Sequence, residues 1–428
     1  MSTSTLPSAA RSPQFVRRPV RPVRRPAAPA PIVRPDLRVG DSPAAAVFRV
    51  ARARGPVSRD TAARATGLST ATVNRQVAAL IDAGLLRERA DLAISGAVGR
   101  PRVPFEVDHE PYLTVGVHIG AVVTGIVAID LRGRILGGVE VPTPTGPQDL
   151  ALARIANSAR AFVGRWHRRR PLWVGVALGG RVDPVTGLVD HPRLGWSGAP
   201  VGPAIGGGLG LPVSVAPHVE AMAASELLLA PHRPGDDAAV GTGLYFYARE
   251  TVGVAVTIDG RVHTPTNGPG SIAHLPTGSS TPCPCGARGC LEATVGDRAT
   301  ITAAADAGVP GIAAADASIG AVYRAAASGS RAAQELLVER ARILGRTVAM
   351  LRDLFNPDRV ILGGQAFTEH PAGVPHVAEA FARTSTLSRT DIRITGFGNR
   401  VQEFAAGVVS LSSLYADPLT SIRRTNHQ

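Results

Sequence analysis

Several residue types that direct a chain to the membrane or the cell exterior are scarce in this sequence. Three cysteines in 428 residues cannot pair evenly, and a secreted scaffold of this size does not depend on so few, so we expect a reducing cytoplasm. No uncharged apolar run reaches the ~18 residues of a membrane span, so no transmembrane helix is predicted. The arginine-rich N-terminus lacks the apolar stretch of a secretory signal. Aromatic residues make up only 4% of the chain, so valine, alanine, leucine and isoleucine must pack its cores.

Lysine is absent, and all 46 basic residues are arginine. Codon bias in a GC-rich genome accounts for this usage, but it does not explain where the charge lies. Residues 1–110 hold 18 arginines and 9 acidic residues, or +9, whereas residues 111–428 hold 28 arginines and 24 acidic residues, or +4. This asymmetry predicts one module that meets a polyanion and a larger module that does not.

The first 40 residues have the composition of a disordered arm. They carry eight prolines and eight arginines against one acidic residue, Asp36. Proline fixes φ and removes a backbone donor, so this stretch cannot hold a helix. The arm either contacts nucleic-acid phosphates or acts as a solubilising tail, and the sequence favours neither.

Residues 41–108 have the pattern of a winged helix-turn-helix. Ser58 can cap a short helix, which a tight turn at Gly67 ends. Ser69 can cap a second helix over residues 70–83. This second helix carries one apolar stripe, formed by Val73, Val77, Leu80 and Ile81. Two helices joined by a short glycine turn are typical of a motif whose second helix enters the major groove of DNA.

The other face of this helix supplies the predicted DNA contacts. We expect base-edge contacts from Thr70, Asn74 and Arg75, and phosphate contacts from Ser69 and Thr72. Duplex DNA is thus the predicted polyanion.

The stretch RERADLAISGAVGRPRVPFEV reads as a hairpin wing with Arg100 and Arg102 at its tip. Two arginines in a loop are by themselves typical of solvated surface. Narrow A·T minor grooves attract inserted arginine, and the position of this pair behind a helix-turn-helix favours groove contact. The operator is therefore expected to be A/T-rich.

From residue 111 the pattern changes to α/β. A strand meander followed by strand–helix units occurs twice, which predicts two similar lobes. We place the first lobe at residues 111–236, completed by a C-terminal helix at 404–416, and the second lobe at residues 237–403. Residues 417–428 are expected to form a tail.

The most specific motif is TPCPCGARGCLEA at residues 281–293, which holds all three cysteines. Together with Ala273-His274 it resembles the motif of the ROK family of repressors, open reading frames and sugar kinases. The resemblance covers residues 43–415 and implies an actin-like (ribonuclease H-like) two-lobed α/β fold. A closed, structural Zn²⁺ site is then implied at His274, Cys283, Cys285 and Cys290. A free thiol cluster and a redox pair are the alternatives, although Cys-x-Cys fits the Cys-x-x-Cys redox motif poorly.

The resemblance also implies kinase motifs, and this chain departs from them at three places. The Asp-x-Gly-Gly-Thr hairpin of family kinases corresponds here to His118-Ile-Gly-Ala-Val, and their Asn-Asp pair to Pro217-His218. Their second phosphate motif, Gly-Thr-Gly, corresponds to Arg249-Glu-Thr. Glu226 of the following helix is kept, and a histidine can in principle accept a proton. Phosphoryl transfer depends on positioning and charge neutralisation, so these losses predict an inactive kinase.

The sugar pocket implied by the family is altered as well. Family members hold sugar hydroxyls with two glutamates and the zinc histidine, and these positions are Ser271, His274 and Glu292 here. A family asparagine corresponds to Arg193. We expect a pocket of changed polarity for a sugar, another small metabolite, or no ligand. Its candidate contacts are His218, Ser271, His274 and Glu292.

These features favour a DNA-binding transcriptional regulator with a catalytically degenerate sugar-kinase body. We expect a homodimer or tetramer on a palindromic duplex operator, because two recognition helices then meet two half-sites. One alternative is an ATP-dependent hexose or amino-sugar kinase that carries a DNA-binding head. Another is a zinc-dependent scaffold, whose DNA binding would depend on salt but not on sequence.

Overall fold

The computed structural model describes residues 30–93, 103–231, 240–265, 270–313, 317–387 and 391–426. The predicted arm up to residue 29 and the wing-tip arginines, Arg100 and Arg102, lie outside these ranges, so what we expect of them stays a prediction. Within the described ranges, no helix combines the length and the apolar character that a membrane crossing requires.

The N-terminal head consists of three helices and a two-stranded ribbon. Its elements are α1 (Pro43–Arg54), α2 (Arg59–Thr66), α3 (Thr70–Asp82), β1 (Leu86–Glu88) and β2 (Phe105–Val107). As predicted, Ser58 caps α2 by accepting the Thr61 N–H, and Ser69 caps α3 by accepting the Thr72 N–H, each at 3.2 Å. Gly67 ends α2 with φ at 69°, a conformation that glycine adopts without steric cost.

The apolar stripe of α3 forms the core of the head. Val73, Val77 and Leu80 are fully buried, while Ile81 is half-buried at its edge. Strands β1 and β2 pair antiparallel with Leu86 opposite Val107, which forms the base of the predicted wing.

The first lobe is built on a five-stranded sheet in the order β10-β6-β3-β4-β5. Its elements are β3 (Tyr112–Ile119), β4 (Val123–Ile129), β5 (Ile135–Pro142), α4 (Gln148–Val163), β6 (Arg170–Leu178), β7 (Arg181–Val182), β8 (Val189–His191), β9 (Trp196–Ala199), α5 (Val201–Leu209), β10 (Val213–Pro217) and α6 (His218–Leu228). β3, β4 and β5 form an antiparallel meander, and β6 and β10 run parallel to β3. Helices α4 and α5 cover one face of this sheet.

The second lobe repeats this arrangement in the strand order β13-β12-β11-β14-β15. Its elements are β11 (Thr242–Ala248), β12 (Val252–Ile258), β13 (Arg261–Val262), α7 (Leu291–Val295), α8 (Asp297–Asp306), α9 (Ile319–Ala327), α10 (Arg331–Phe355), β14 (Arg359–Gly363), α11 (Gln365–Thr368), α12 (Val374–Thr384) and β15 (Asp391–Ile394). β11, β12 and β13 form the meander, and β14 and β15 run parallel to β11. The two lobes therefore share one topology, as the sequence predicts.

Two helices lie between the sheets. α13 (Val401–Ala416) packs on β3, β4 and β6 of the first sheet, and α6 packs on α13 and on the meander of the second sheet. Gly175 on β6 permits this close approach, because a Cβ atom there would lie 2.2 Å from the backbone nitrogen of Ser410. The helix predicted at 404–416 thus lies against the first lobe.

Residues 31–40, which the sequence analysis assigns to a disordered arm, are an ordered strap across both lobes. Val33 N–H donates to the Val213 carbonyl at 2.8 Å on the edge of the first sheet. Val39 N–H donates to the Gly260 carbonyl at 2.8 Å beside β13 of the second sheet, and Leu37 is buried between these anchors. The prediction was wrong because an extended segment with prolines can pair with a sheet edge through its other residues.

The predicted tail beyond residue 416 is also structured. α14 (Pro418–Asn426) packs against α1 and α3 of the head and against β6 and α13 of the body. Ile422 is buried in this contact, and the Ser421 hydroxyl donates to the Ser413 carbonyl at 2.8 Å. The head is therefore docked on the body by an element whose short apolar face gives little signal in the sequence.

Candidate functional site

The exposed face of α3 is the first candidate site. Of the five DNA contacts predicted at this helix, four are exposed and one is half-buried: Ser69, Thr70, Asn74 and Arg75 are exposed, and Thr72 is half-buried. The hydroxyls of Ser69 and Thr72 lie 2.9 Å apart at the N-terminal end of the helix. Exposed N–H groups and the helix dipole attract phosphate at such an end. The geometry thus suits a helix whose first turns approach DNA.

The base of the wing is tied to the helix-turn-helix. Arg59, at the start of α2, donates to the Glu88 carboxylate on β1 at 2.7 Å. The same guanidinium donates to the Val103 carbonyl at 3.2 Å, just before β2. Both sides of the wing are thereby held at a set position relative to α3.

The predicted metal ligands converge in the second lobe. The donor atoms of His274, Cys283, Cys285 and Cys290 all lie within 4.8 Å of one another. The Cys283 Sγ–His274 Nδ1 and Cys285 Sγ–Cys290 Sγ distances are both 3.7 Å. Four ligands around a tetrahedral Zn²⁺ lie roughly 3.3–3.8 Å apart, so this donor set fits a metal ion of that size.

A tight loop brings the three thiols together. Cys283 N–H donates to the Ala287 carbonyl at 2.9 Å. Gly289 has φ at 70°, and a Cβ there would lie 2.3 Å from the Ser279 carbonyl oxygen. Burial, assisted by the neighbouring thiols, raises the pKa of Cys290 to about 12. A bound cation would instead stabilise the thiolate, as a metal site requires.

The loop that carries the three cysteines also positions Glu292 at the cleft between the lobes. Glu292 N–H donates to the Ala273 carbonyl at 2.9 Å, and Leu291 N–H donates to the Leu275 carbonyl at 2.8 Å. The segment that leads out of the loop is thus paired with the residues beside His274. The carboxylate of Glu292 is held by the same structure that gathers the metal ligands.

Three rings meet between the two lobes. His118, at the end of β3, stacks on His218 at the start of α6, with ring centroids 5.8 Å apart and planes 18° apart. His218 in turn meets Tyr247 of β11 edge-on at 5.6 Å. The rings therefore connect the first lobe, the helix between the lobes and the second lobe.

The two imidazoles bring no negative charge to the cleft. Burial, with contributions from His191 and Arg193, lowers the pKa of His218 to about 4. Burial, with contributions from His218 and Arg249, lowers the pKa of His118 well below its usual value. His118 Nε2 is buried and has no hydrogen-bond partner among the described residues. Neutral rings here cannot hold Mg²⁺ as the family's carboxylates do.

Arg193 crosses the cleft from the first lobe. It lies in the turn after β8 and donates to the Glu292 carboxylate at 2.6 Å and to the Glu250 carboxylate at 3.2 Å. Glu292 also accepts the Val252 N–H at 3.1 Å. The carboxylate that family members use for sugar hydroxyls is thus engaged by a guanidinium of the same chain.

The four predicted ligand contacts are not gathered around one empty space. His218 lies in the ring stack, Glu292 is paired with Arg193, and His274 is among the metal donors. Ser271 is exposed, and its hydroxyl accepts the Ala273 N–H at 3.3 Å. Sequence reasoning did not place Glu250 or Tyr247 among the cleft contacts, and the continuously buried run of β11 offered no signal that singles out Tyr247.

The turn that corresponds to the second phosphate motif is occupied by a side-chain network. Arg249 donates to the amide oxygens of Gln365 at 3.1 Å and Gln402 at 2.6 Å. Gln402 in turn donates to the Tyr247 hydroxyl at 3.0 Å. This turn therefore lacks the glycine backbone with which the family's kinases hold phosphate.

Two lobes of one topology, a loop that gathers one histidine and three cysteines, and a helix-turn-helix head define the class of this protein. It is an actin-like, kinase-type body fused to a head of the DNA-binding type. The chain belongs to the ROK family, whose family model matches residues 114–399.

The similar proteins include regulators, which match most of the chain, and sugar kinases, which match a smaller share of it. The transcriptional regulator Rv0485 of Mycobacterium tuberculosis H37Rv is 57% identical over 401 residues, which is 92% of this chain and 90% of that protein. A crystal structure of a ROK family transcriptional regulator, a homolog of the E. coli MLC protein, has 25% identity and a TM-score of 0.73 over 89% of this chain and 98% of its own. A ROK family glucokinase from Streptomyces griseus, solved with glucose and AMPPNP, shares the fold at 22% identity and a TM-score of 0.60. It covers 70% of this chain and 99% of its own.

Proposed function

We propose that this protein is a DNA-binding transcriptional regulator of the cytoplasm, built on a pseudokinase body. The observation that carries the proposal is the exposed N-terminal half of α3, where Thr70, Asn74 and Arg75 face outward from a buried stripe. Thr70, Asn74 and Arg75 would contact base edges, and Ser69 and Thr72 would contact phosphates.

The mode of DNA binding follows from the geometry of such heads. A homodimer or tetramer would place two α3 helices on the half-sites of a palindromic operator. The wing would carry Arg100 and Arg102 into the adjacent minor groove, which favours A/T-rich sequence. The similarity to a regulator across 89% of the chain, against 70% for a glucokinase, supports this function, because the larger match extends beyond the kinase-like body.

The body would serve as an effector and dimerisation module. His274 and the three cysteines would hold a structural Zn²⁺, which would fix the loop beside Glu292 and take no part in a reaction. A sugar or another small metabolite would act through the cleft by binding two lobe arrangements unequally. The replacement of kinase carboxylates by His118 and His218 supports the absence of phosphoryl transfer.

A footprint on DNA flanking the gene tests the regulator. We expect a protected palindrome at moderate salt, and Arg75→Ala should weaken operator binding by about 1–3 kcal/mol and relax specificity at one position of each half-site. Arg154→Ala, an exposed arginine on α4, is the matched control and should bind as the unmodified protein does. Absence of a protected sequence, or an unchanged Arg75→Ala protein, would refute the proposal.

A coupled ADP-release assay with a panel of hexoses and amino sugars tests the pseudokinase assignment. No turnover above the background ATP hydrolysis is expected. Turnover that His218→Ala abolishes would show that the histidine serves as a base and that the chain is a kinase.

A further inference from the structure

An ionic contact joins the two lobes at the mouth of the cleft. Arg193 belongs to the turn Pro192–Leu194 of the first lobe, while Glu250 and Glu292 belong to the second. Besides the two carboxylates, the guanidinium donates to the backbone carbonyl of Glu250 at 3.4 Å. One side chain thus makes three contacts across the gap.

The Glu292 carboxylate, which accepts from Arg193, is held in place by contacts that do not involve Arg193. One oxygen of Glu292 accepts the Val252 N–H at 3.1 Å, which leaves its other oxygen for the guanidinium at 2.6 Å. The backbone of Glu292 is fixed by the Ala273 carbonyl. A carboxylate whose position is already set loses little freedom on pairing, so the contact is favourable even at a partly exposed site.

A stack of aromatic rings also joins the two lobes. The stack of His118, His218 and Tyr247 joins the first lobe to the second through α6. Separation of the lobes would expose these rings to water and would break the contacts of Arg193. The ionic contact and the ring stack therefore both favour a closed cleft.

We propose that Arg193 is a latch that keeps the cleft closed and thereby decides which ligands enter it. The inference deepens the proposed function, since it concerns the effector cleft of the same body. A neutral polyol that takes the place of the guanidinium at Glu292 donates its hydroxyls to the carboxylate but supplies no positive charge to Glu250 and Glu292 in return. Neutral sugars are therefore selected against by this chain.

The partial exposure of the pair sets the size of the effect. The side chains of Arg193 and Glu292 are 37% and 24% exposed, so water screens part of their attraction. A contact of this kind shifts a two-state equilibrium by a modest factor. We expect removal of the latch to tighten the binding of a neutral sugar about tenfold.

The test compares the full-length, metal-loaded protein with its Arg193→Gln variant, and Arg154→Gln on α4 serves as the matched surface control. Calorimetric titration with glucose and with N-acetylglucosamine measures binding, and hydrogen exchange of residues 190–196 and 249–252 measures opening. In Arg193→Gln, exchange of these segments should rise and at least one sugar should bind about ten times more tightly. Arg154→Gln should match the unmodified protein in both measurements.

Other results overturn the latch. Equal sugar affinity in the unmodified protein and in Arg193→Gln refutes the selective role, even where exchange rises. Unchanged exchange refutes the closing role. If Arg193→Gln fails to fold, Glu250→Gln weakens the same contact while Glu292 stays in place, and it should give a smaller change in the same direction.

The latch and the regulator can fail separately. If the protein protects its DNA but Arg193→Gln behaves as the unmodified protein, only the latch is lost. If Arg193→Gln opens and gains sugar affinity in a protein that protects no DNA, only the regulator is lost.

Discussion

Arg132 in the first lobe donates to the Glu106 carboxylate in the wing strand β2 at 2.7 Å, and this ion pair joins the head to the body. Glu106 is only 3% exposed and also accepts from Arg87 and Arg89 of the head at 2.9 Å and 3.1 Å. Burial opposes the charge of Glu106, but the three guanidinium groups outweigh it and lower the pKa of its carboxyl. The Glu106 carboxylate thus has two arginine partners in the head and a third in the first lobe. The third partner fixes the wing relative to the first lobe.

Arg132→Ala should loosen the head without unfolding it. Glu106 keeps two arginine partners, so we expect a loss of about 1–2 kcal/mol in the free energy of unfolding. Hydrogen exchange in β1 and β2 should rise, which mass spectrometry of the full-length protein measures. Arg134→Ala, a neighbouring arginine in the same turn region, is the control. Equal exchange in both variants would show that the ion pair does not dock the head.

Glu106→Ala should cost more than Arg132→Ala. It removes the acidic partner of Arg132 and the buried carboxylate that Arg87 and Arg89 share, although these two keep Glu110 and Asp91. Removal of one member of a buried charge network costs about 3–5 kcal/mol. Denaturant unfolding monitored by circular dichroism compares the two. A smaller loss for Glu106→Ala than for Arg132→Ala would contradict the central position of this carboxylate.

The strap at residues 31–40 should stabilise the body through its backbone. Val33→Pro removes the N–H that Val213 accepts, and we expect a loss of about 1–2 kcal/mol in the free energy of unfolding. Val33→Ala keeps that N–H and loses only part of a half-buried side chain, so it is the matched control. Denaturant titration of both proteins gives the difference. An equal loss in both would assign the effect to the side chain and not to strand pairing.

Cys285→Ser should remove the metal and destabilise the second lobe. The variant leaves three of the four donors, too few for a closed tetrahedral site. We expect about one zinc per chain in the purified protein and much less in the variant, measured by plasma mass spectrometry, with a lowered melting temperature. Ser280→Ala, an exposed neighbour in the same loop, should keep both values. A fully stable protein without metal would contradict the structural role.

The buried Glu220 on α6 should make stability depend on pH. Burial raises the pKa of its carboxyl to about 7, and Arg34 of the strap offsets only part of this effect. Between about pH 4.5 and pH 7 the unfolded chain has released this proton while the folded chain retains it, so Glu220 lowers stability progressively as pH rises. Above pH 7 the loss is constant, and below pH 4.5 it vanishes.

Glu220→Gln removes this loss. The free energy of unfolding of the variant should exceed that of the unmodified protein by up to about 3 kcal/mol above pH 7, and the gain should vanish towards pH 4.5. Denaturant unfolding at a series of pH values measures it. Glu335→Gln, on the exposed face of α10, is the surface control and is measured in parallel. A constant difference for Glu220→Gln would contradict the raised pKa.

Much of the candidate site was predictable because its signals are local. The cap at Ser69, the turn at Gly67 and the stripe at Val73 lie within a few residues of one another, and helix geometry alone places them. The three cysteines lie within eight positions, so a single loop gathers them. The replacements at His118 and His218 are likewise visible as residue types at recognised motifs.

The strap and the tail were assigned incorrectly for a physical reason. Whether residues 31–40 are ordered depends on free sheet edges at Val213 and Gly260, some two hundred residues away, and composition carries no record of those edges. Proline and arginine content describes the tendency of an isolated segment and takes no account of a sheet edge with which the segment can pair. Likewise, α14 is stabilised because Ile422 is buried between the head and the body. The surface that buries Ile422 exists only after both parts have folded.

The sequence by itself therefore predicted the class of each module. The periodicity of α3 predicted the head, the spacing of one histidine and three cysteines predicted a candidate metal site, and the residue types at His118 and His218 showed that the carboxylates of the family's kinases are absent. Only the tertiary structure decided how the modules meet. Arg193 and Glu292 are 99 residues apart in the chain, and nothing local indicates that a guanidinium crosses the cleft to that carboxylate. Ion pairs between lobes depend on the relative placement of two folded bodies, and that placement is set by α6, α13 and the strap packed between and across them.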